Sequence, residues 1–215
     1  MITMIEIKRK ALYFGGIFGP IFFLLNDIIG TTITPGYSPI INAVSELTQT
    51  GAENAILLSS LFLIAAFGLV IFAIGLVKHY PFGTSKLIFL GGIFIIFLGI
   101  LSALTGTIFP MDPFGEAATF AGEMHKNLTM VNIVLIVLAI PMIGIGIYKE
   151  NQWKLFMVYS FITVLIMVSC GILTGVLMAR NIKLLGLFER ITIYTYQSWI
   201  FILAILFIKQ PFKWD

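Results

Sequence analysis

The sequence predicts an all-α, polytopic membrane protein: a six-helix transmembrane bundle with N- and C-termini cytoplasmic and a short amphipathic helix in the first outer loop. Three observations carry this reading. Hydrophobic residues make up 59% of the 215-residue chain and charged residues only 11%, against roughly 45 to 50% and about 25% in a soluble domain. The apolar residues gather into six runs, each near the roughly 20 residues that a helix needs to cross a hydrocarbon core about 30 Å thick. Lys and Arg are shared unequally between alternate loops, which predicts an orientation.

The expected spans are 11–30, 56–77, 87–109, 128–147, 155–179 and 184–208, joined by loops too short for a second domain, so residues 1–215 read as one integral-membrane domain. Lys8, Arg9 and Lys10 precede the first run as they would in a signal peptide. That run is too long for a signal sequence, however, and no small-residue cleavage site clearly follows it, so it is expected to remain as the first helix. Nine of the thirteen basic residues (Lys8, Arg9, Lys10, Lys78, Lys86, Lys149, Lys154, Lys209 and Lys213) fall on the side of the termini. Lys126, Arg180, Lys183 and Arg190 fall on the other. The bias puts the termini in the cytoplasm of a multi-pass cell-membrane protein, and it explains the net charge of +3 without nucleic acid.

In the first outer loop, Ser38 suits an N-cap, Pro39 the first helical position and Gly51 a stop. A helix there would carry Ile40, Ile41, Val44 and Leu47 on one arc and Asn42, Ser45, Glu46 and Gln49 on the other. It would lie flat in the interface or fold back as a lid over the bundle.

The second outer loop places Asp112 between Pro110 and Pro113, with His125 at the mouth of the fourth span. Asp112 reads either as a restrained functional carboxylate or as a helix cap. His125, with a pKa near neutrality, suits acid–base work, and it shares a helical face with Thr129 and Asn132. Asp27, beside Asn26 near the outer end of the first span, should face the protein interior or a wet cavity rather than lipid. The sixth span opens with Glu189 and Arg190, and Tyr194 and Gln197 lie on the Arg190 face. Ser102, Thr105, Ser169 and Thr174 bring polar groups to the same depth. Together they predict a pocket open to the outside, roofed by the two outer loops. Its expected catalytic pair is Asp112 and His125, and its expected ligand-binding residues are Asp27, Ser45, Glu46, Asn132, Glu189, Arg190 and Gln197.

Small-residue seams (Gly15 and Gly19; Gly171 and Gly175; Gly92, Gly99 and Gly106) predict close helix packing within the bundle in preference to homodimerisation. Pro20 and Pro141 mark sites of kinking. The single cysteine, Cys170, allows no disulfide framework. The two histidines, His79 and His125, are expected on opposite sides, against a multi-histidine zinc centre. No cofactor is predicted, although a divalent cation at an outer cluster of Asp27, Asp112, Glu123 and His125 stays open. No phosphate-binding loop or dinucleotide fingerprint is present.

The strings PGYSP at Pro35, SELT at Ser45, FPMD followed by His125, and GLFER ending at Arg190 together resemble an uncharacterised prokaryotic integral-membrane family, the domain of unknown function 998 (DUF998). The resemblance runs over nearly the whole chain. It implies one six-helix membrane domain in which the outer-loop residues form a unit, and it brings no reaction or substrate.

The leading functional expectation is a protein that binds or modifies a lipid or small amphiphile at the outer leaflet, with Asp112 and His125 exchanging protons and Arg190 holding an anionic group. The alternatives are a non-catalytic small-molecule sensor or transporter, and a structural subunit docking through its glycine seams. The lack of charge at mid-membrane depth weighs against ion-coupled transport.

Overall fold

The computed structural model describes residues 10–180 and 184–209. Lys8, Arg9, Lys183 and Lys213, which enter the charge asymmetry, lie outside the described residues. Every regular element among the described residues is helical: α1 Gly15–Ile33, α2 Ala55–His79, α3 Lys86–Thr107, α4 Phe120–Asn151, α5 Lys154–Ala179 and α6 Leu185–Lys209, with a 3-10 helix, Val44–Thr48, between α1 and α2. Six helices are long and apolar enough to cross a membrane, the first running from Lys10 to Ile33. The protein is a multi-pass membrane protein. Its exposed flanks carry large apolar side chains such as Phe67, Phe97 and Leu165, the composition expected where the outside of a helix meets lipid rather than water.

Neighbours in sequence pack side by side, and α6 closes the ring against α1. The α1–α2 contact is the closest. A Cβ on Gly15 would lie 2.4 Å from the Gly68 carbonyl oxygen, and one on Gly68 would lie 2.8 Å from the Gly19 backbone. Only glycine lets the two backbones approach so far. Along α3, Gly92, Gly99 and Gly106 seat Val77, Val70 and Phe62 of α2 in the same way. Gly171 and Gly175 differ, for a Cβ at either meets nothing within 4 Å.

Two local differences from the expected elements matter. The helix expected after Ser38 is a five-residue 3-10 turn beginning at Val44. Its start is displaced because the Ser38 N–H donates to the Asn42 side chain (2.9 Å) and the Ala43 N–H to Glu46 Oε1 (2.6 Å), which ends one turn and begins the next. Gly51 does sit at the end of the segment, with φ +82°, a conformation that suits glycine. The other difference is α4, which begins at Phe120 rather than at 128. Thr119 caps it, accepting the Gly122 N–H at 3.1 Å. His125 therefore lies inside a helix, not at its mouth.

The core is unequally filled. At the end holding the termini, Tyr13, Phe72, Leu76, Tyr80, Trp199 and Phe207 form a continuous aromatic and aliphatic cluster. His79 is buried within it, bonded to the Tyr13 hydroxyl. At the opposite end a smaller cluster of Phe23, Val44, Leu47, Leu58 and Ala65 seals the 3-10 helix onto α1 and α2, with Leu47 lying where a Cβ on Gly30 would stand. Between this plug and the main core the packing is left open.

Candidate functional site

A cavity of about 480 Å³ occupies that gap. All six helices and the 3-10 helix contribute to its wall, which is mostly apolar. The stripe of His125, Thr129 and Asn132 on α4 runs along it, followed one turn later by Ile136. Asn26 of α1, Ser102 and Thr105 of α3, and Ser45 of the 3-10 helix add polar groups, and α6 contributes Glu189, Thr192 and Tyr196. The cavity also reaches the flank of the bundle. Met130 and Ile133 on α4, and Val168 and Ile172 on α5, line it while remaining 40 to 65% exposed.

Beside the cavity lies a buried ion pair. Arg190 donates from Nε to Asp27 Oδ2 (3.0 Å) and from Nη2 to Asp27 Oδ1 (2.8 Å), a bidentate pairing of α6 with α1. Its remaining donors reach the first loop: Nη1 to the carbonyls of Pro39 (2.7 Å) and Asn42 (2.9 Å), and Nη2 to the Tyr37 hydroxyl (2.6 Å). Tyr37 passes its own proton to the Ala43 carbonyl at 2.7 Å. Burial is the main cause raising the Tyr37 pKa above the usual phenol range, so it stays a donor. Tyr194 donates to the same Asp27 carboxylate. All five N–H groups of the guanidinium are thus engaged within the chain, and Arg190 acts here as the clasp of the loop.

Glu189, one residue earlier, faces elsewhere. Its carboxylate accepts the Val44 N–H at 2.8 Å and, more weakly, the Ser45 hydroxyl at 3.4 Å. The remaining capacity of its two oxygens faces the cavity it lines. A residue step of about 100° around the helix separates the two charges: Arg190, Tyr194 and the α1 face go together, while Glu189, Thr192 and Tyr196 face the cavity. Gln197 bonds the Tyr196 hydroxyl at 3.2 Å and does not line the cavity. Glu46 is engaged within the loop by Asn42 and Ala43.

Asp112 and His125 are not joined. Asp112 accepts both the N–H (2.9 Å) and the hydroxyl (2.7 Å) of Thr119, immediately before α4. Those two bonds, aided by the charge of Lys126, hold its carboxyl below the usual carboxylate range. His125, 8% exposed, places Nδ1 2.9 Å from the Phe109 carbonyl. A carbonyl only accepts, so Nδ1 carries a proton, and in the neutral ring Nε2 is an acceptor. Asp27, Asp112, Glu123 and His125 do not gather: Asp27 is held by Arg190, and Glu123 pairs with Lys126 at 3.1 Å on the surface. Among the described residues no group of three or more His, Cys, Asp or Glu is placed to hold a metal ion.

Two polar atoms in the wall have no partner. Asn26 Oδ1 and Asn132 Oδ1 are both buried and unbonded, although Asn132 donates through Nδ2 to Ser102 at 3.3 Å. Asn26 and Tyr37 carried little signal in the sequence. One is a single amide in an apolar run, and the other stands out only as part of PGYSP.

The model of a family described as a protein of unknown function, DUF998, matches residues 17–206. The chain belongs to that family. The match takes in Asp27, the first loop, the α4 stripe and Glu189–Arg190, so the clasp and the cavity of this DUF998 protein both lie inside the family region. No curated protein and no solved structure matches the chain.

Proposed function

We propose that this DUF998 protein binds a small amphiphile in the cavity, with the polar part among Asn26, His125, Asn132 and Glu189 and the apolar part directed toward the gap between α4 and α5. The observation that carries the proposal is the cavity itself. Its volume of about 480 Å³ falls in the usual range of ligand pockets, about 300 to 1,000 Å³. Its wall joins a largely apolar surface to a few polar groups with unused bonding capacity. The exposed lining residues on α4 and α5 give a route from the side, where a lipid-dissolved molecule would approach.

With the charge bias placing the termini in the cytoplasm, the cavity belongs to the outer leaflet. The role is binding in preference to acid–base catalysis, because Asp112 is engaged by Thr119 and makes no hydrogen bond to His125. Absence of a charge at mid-depth favours a receptor or sensor over an ion-coupled carrier.

Gly171 lines the cavity and has open space around its Cβ position, so Gly171→Leu should obstruct the cavity without disturbing the bundle. Native mass spectrometry of the protein released from its membrane should find a bound amphiphile on the wild type and a reduced amount on Gly171→Leu at equal thermal stability. Identical, empty spectra from both would contradict the proposal.

A further inference from the structure

We infer that the ligand is cationic: a primary ammonium on an apolar tail, held with Glu189 as its counter-ion. The inference rests on the amphiphile reading and adds the sign of the headgroup.

Glu189 is the one charged side chain among the described residues that line the cavity, and no Lys or Arg lines it. The nearest positive charge in sequence, Arg190, is already neutralised by Asp27 and spends its other donors on the first loop. A carboxylate removed from water either gains a positive partner or takes up a proton. Glu189 has only the neutral donors of Val44 and Ser45, so an ammonium in the cavity would supply the partner the chain does not. Its hold on Val44 does not require charge, since a glutamine oxygen would accept the same N–H.

The neutral groups point the same way. His125, bonded through Nδ1–H to Phe109, offers Nε2 as an acceptor in its neutral form. Thr105 and Thr192 donate their hydroxyl protons to the Ser102 and Phe188 carbonyls at 2.9 Å, which leaves oxygen lone pairs for a ligand. Asn26, 1% exposed, has an unbonded Oδ1. Either asparagine amide can turn to present nitrogen, so Glu189, which carries the fixed charge, decides the sign. An ammonium brings three donors and no acceptor, complementary to such a wall. An anionic headgroup would meet the Glu189 charge with no cation to offset it.

The test uses full-length protein in phosphatidylcholine nanodiscs, with empty nanodiscs as the partition baseline, titrated with dodecylamine, dodecanol and dodecanoate. Dodecylamine should bind the wild type on the order of tenfold more tightly than dodecanol, the scale of one charge-assisted contact, and dodecanoate should bind least. Glu189→Gln should abolish the preference for amine over alcohol. Gly171→Leu should weaken amine and alcohol alike. Nanodiscs containing phosphatidylethanolamine should compete with dodecylamine if the ammonium comes from a lipid headgroup, and should not if it comes from a free amphiphile.

Equal affinities for amine and alcohol in the wild type, or tighter binding of dodecanoate, would overturn the cationic assignment while leaving amphiphile binding in place. No binding of any of the three would overturn both. The wild-type series decides the sign by itself even where Glu189→Gln fails to fold.

Discussion

Asp27 and Arg190 are the residues on which the loop end of the bundle depends. Both are at least nine-tenths buried, and removing one partner would leave the other charge uncompensated. Asp27→Asn should lower stability by about 3 to 5 kcal/mol, as for other buried pairs broken on one side. Pairing Asp27→Leu with Arg190→Met should cost less than the sum of the two single changes, because no lone charge remains. Equilibrium unfolding in mild detergent measures both, and strict additivity would contradict the coupling. The sequence showed the two charges at similar depth but could not join them. A lone Arg near a membrane surface serves equally as a ligand anchor or as an internal clasp, and only the positions of Asp27, Pro39 and Asn42 decide it.

Asp112 gives a second residue-scale expectation. Its carboxyl is held below the ordinary value, so the Thr119 interaction stabilises the start of α4 at neutral pH and is lost as pH falls through the folded-state pKa, below the usual value of about 3.9. The hydrogen-exchange protection of the first α4 amides, relative to their intrinsic rates, should therefore fall on acidification below about pH 4 in the wild type. In Asp112→Asn it should already be lower at neutral pH and change little with acid. A wild-type profile parallel to that of the variant would remove the cap from the account.

Among the elements, the glycine seams separate into two kinds. Gly15, Gly19 and Gly68 bring α1 and α2 into backbone contact, so Gly68→Leu should destabilise the bundle by at least the roughly 1 to 3 kcal/mol of an overpacked core. Gly171→Leu, with open space around it, should leave the unfolding free energy within about 0.5 kcal/mol of wild type. Similar losses from both would contradict the assignment of Gly171 to an open flank. Sequence spacing alone made the two seams look alike, because small-xxx-small patterns record which residues are small and not what stands opposite them.

Helix limits show a related restriction. Hydropathy located the apolar middles of all six helices. It missed the first two turns of α4 because FAGEMHKN averages as polar, although Thr119 as a cap and Glu123 in the first turn are the local signs of a helix start. On α6 the ambiguity was rotational. Glu189 and Arg190 lie about 100° apart, and with Arg190 itself buried polarity could not say which of them faces the cavity.

At the scale of the whole molecule, a densely packed aromatic core at one end and an open cavity at the other give the bundle a polarity that the composition only suggested. The charge bias predicts its orientation in the membrane. In a Cys170→Ser background, a single cysteine at Glu116 should react with an impermeant maleimide on intact cells, and one at Thr84 only after permeabilisation. The reverse pattern would invert the topology and move the cavity to the inner leaflet.

The central claim, that an amphiphile occupies the cavity through the α4–α5 flank, is tested most directly by photolabelling. A long-chain amine carrying a diazirine at its tail, incorporated with the protein in a bilayer and mapped by peptide sequencing, should label Ile133, Val137 and Met167 on the cavity wall, and Gly171→Leu should suppress that labelling. Labels spread evenly over the lipid-facing sides of all six helices, unchanged by Gly171→Leu, would contradict it.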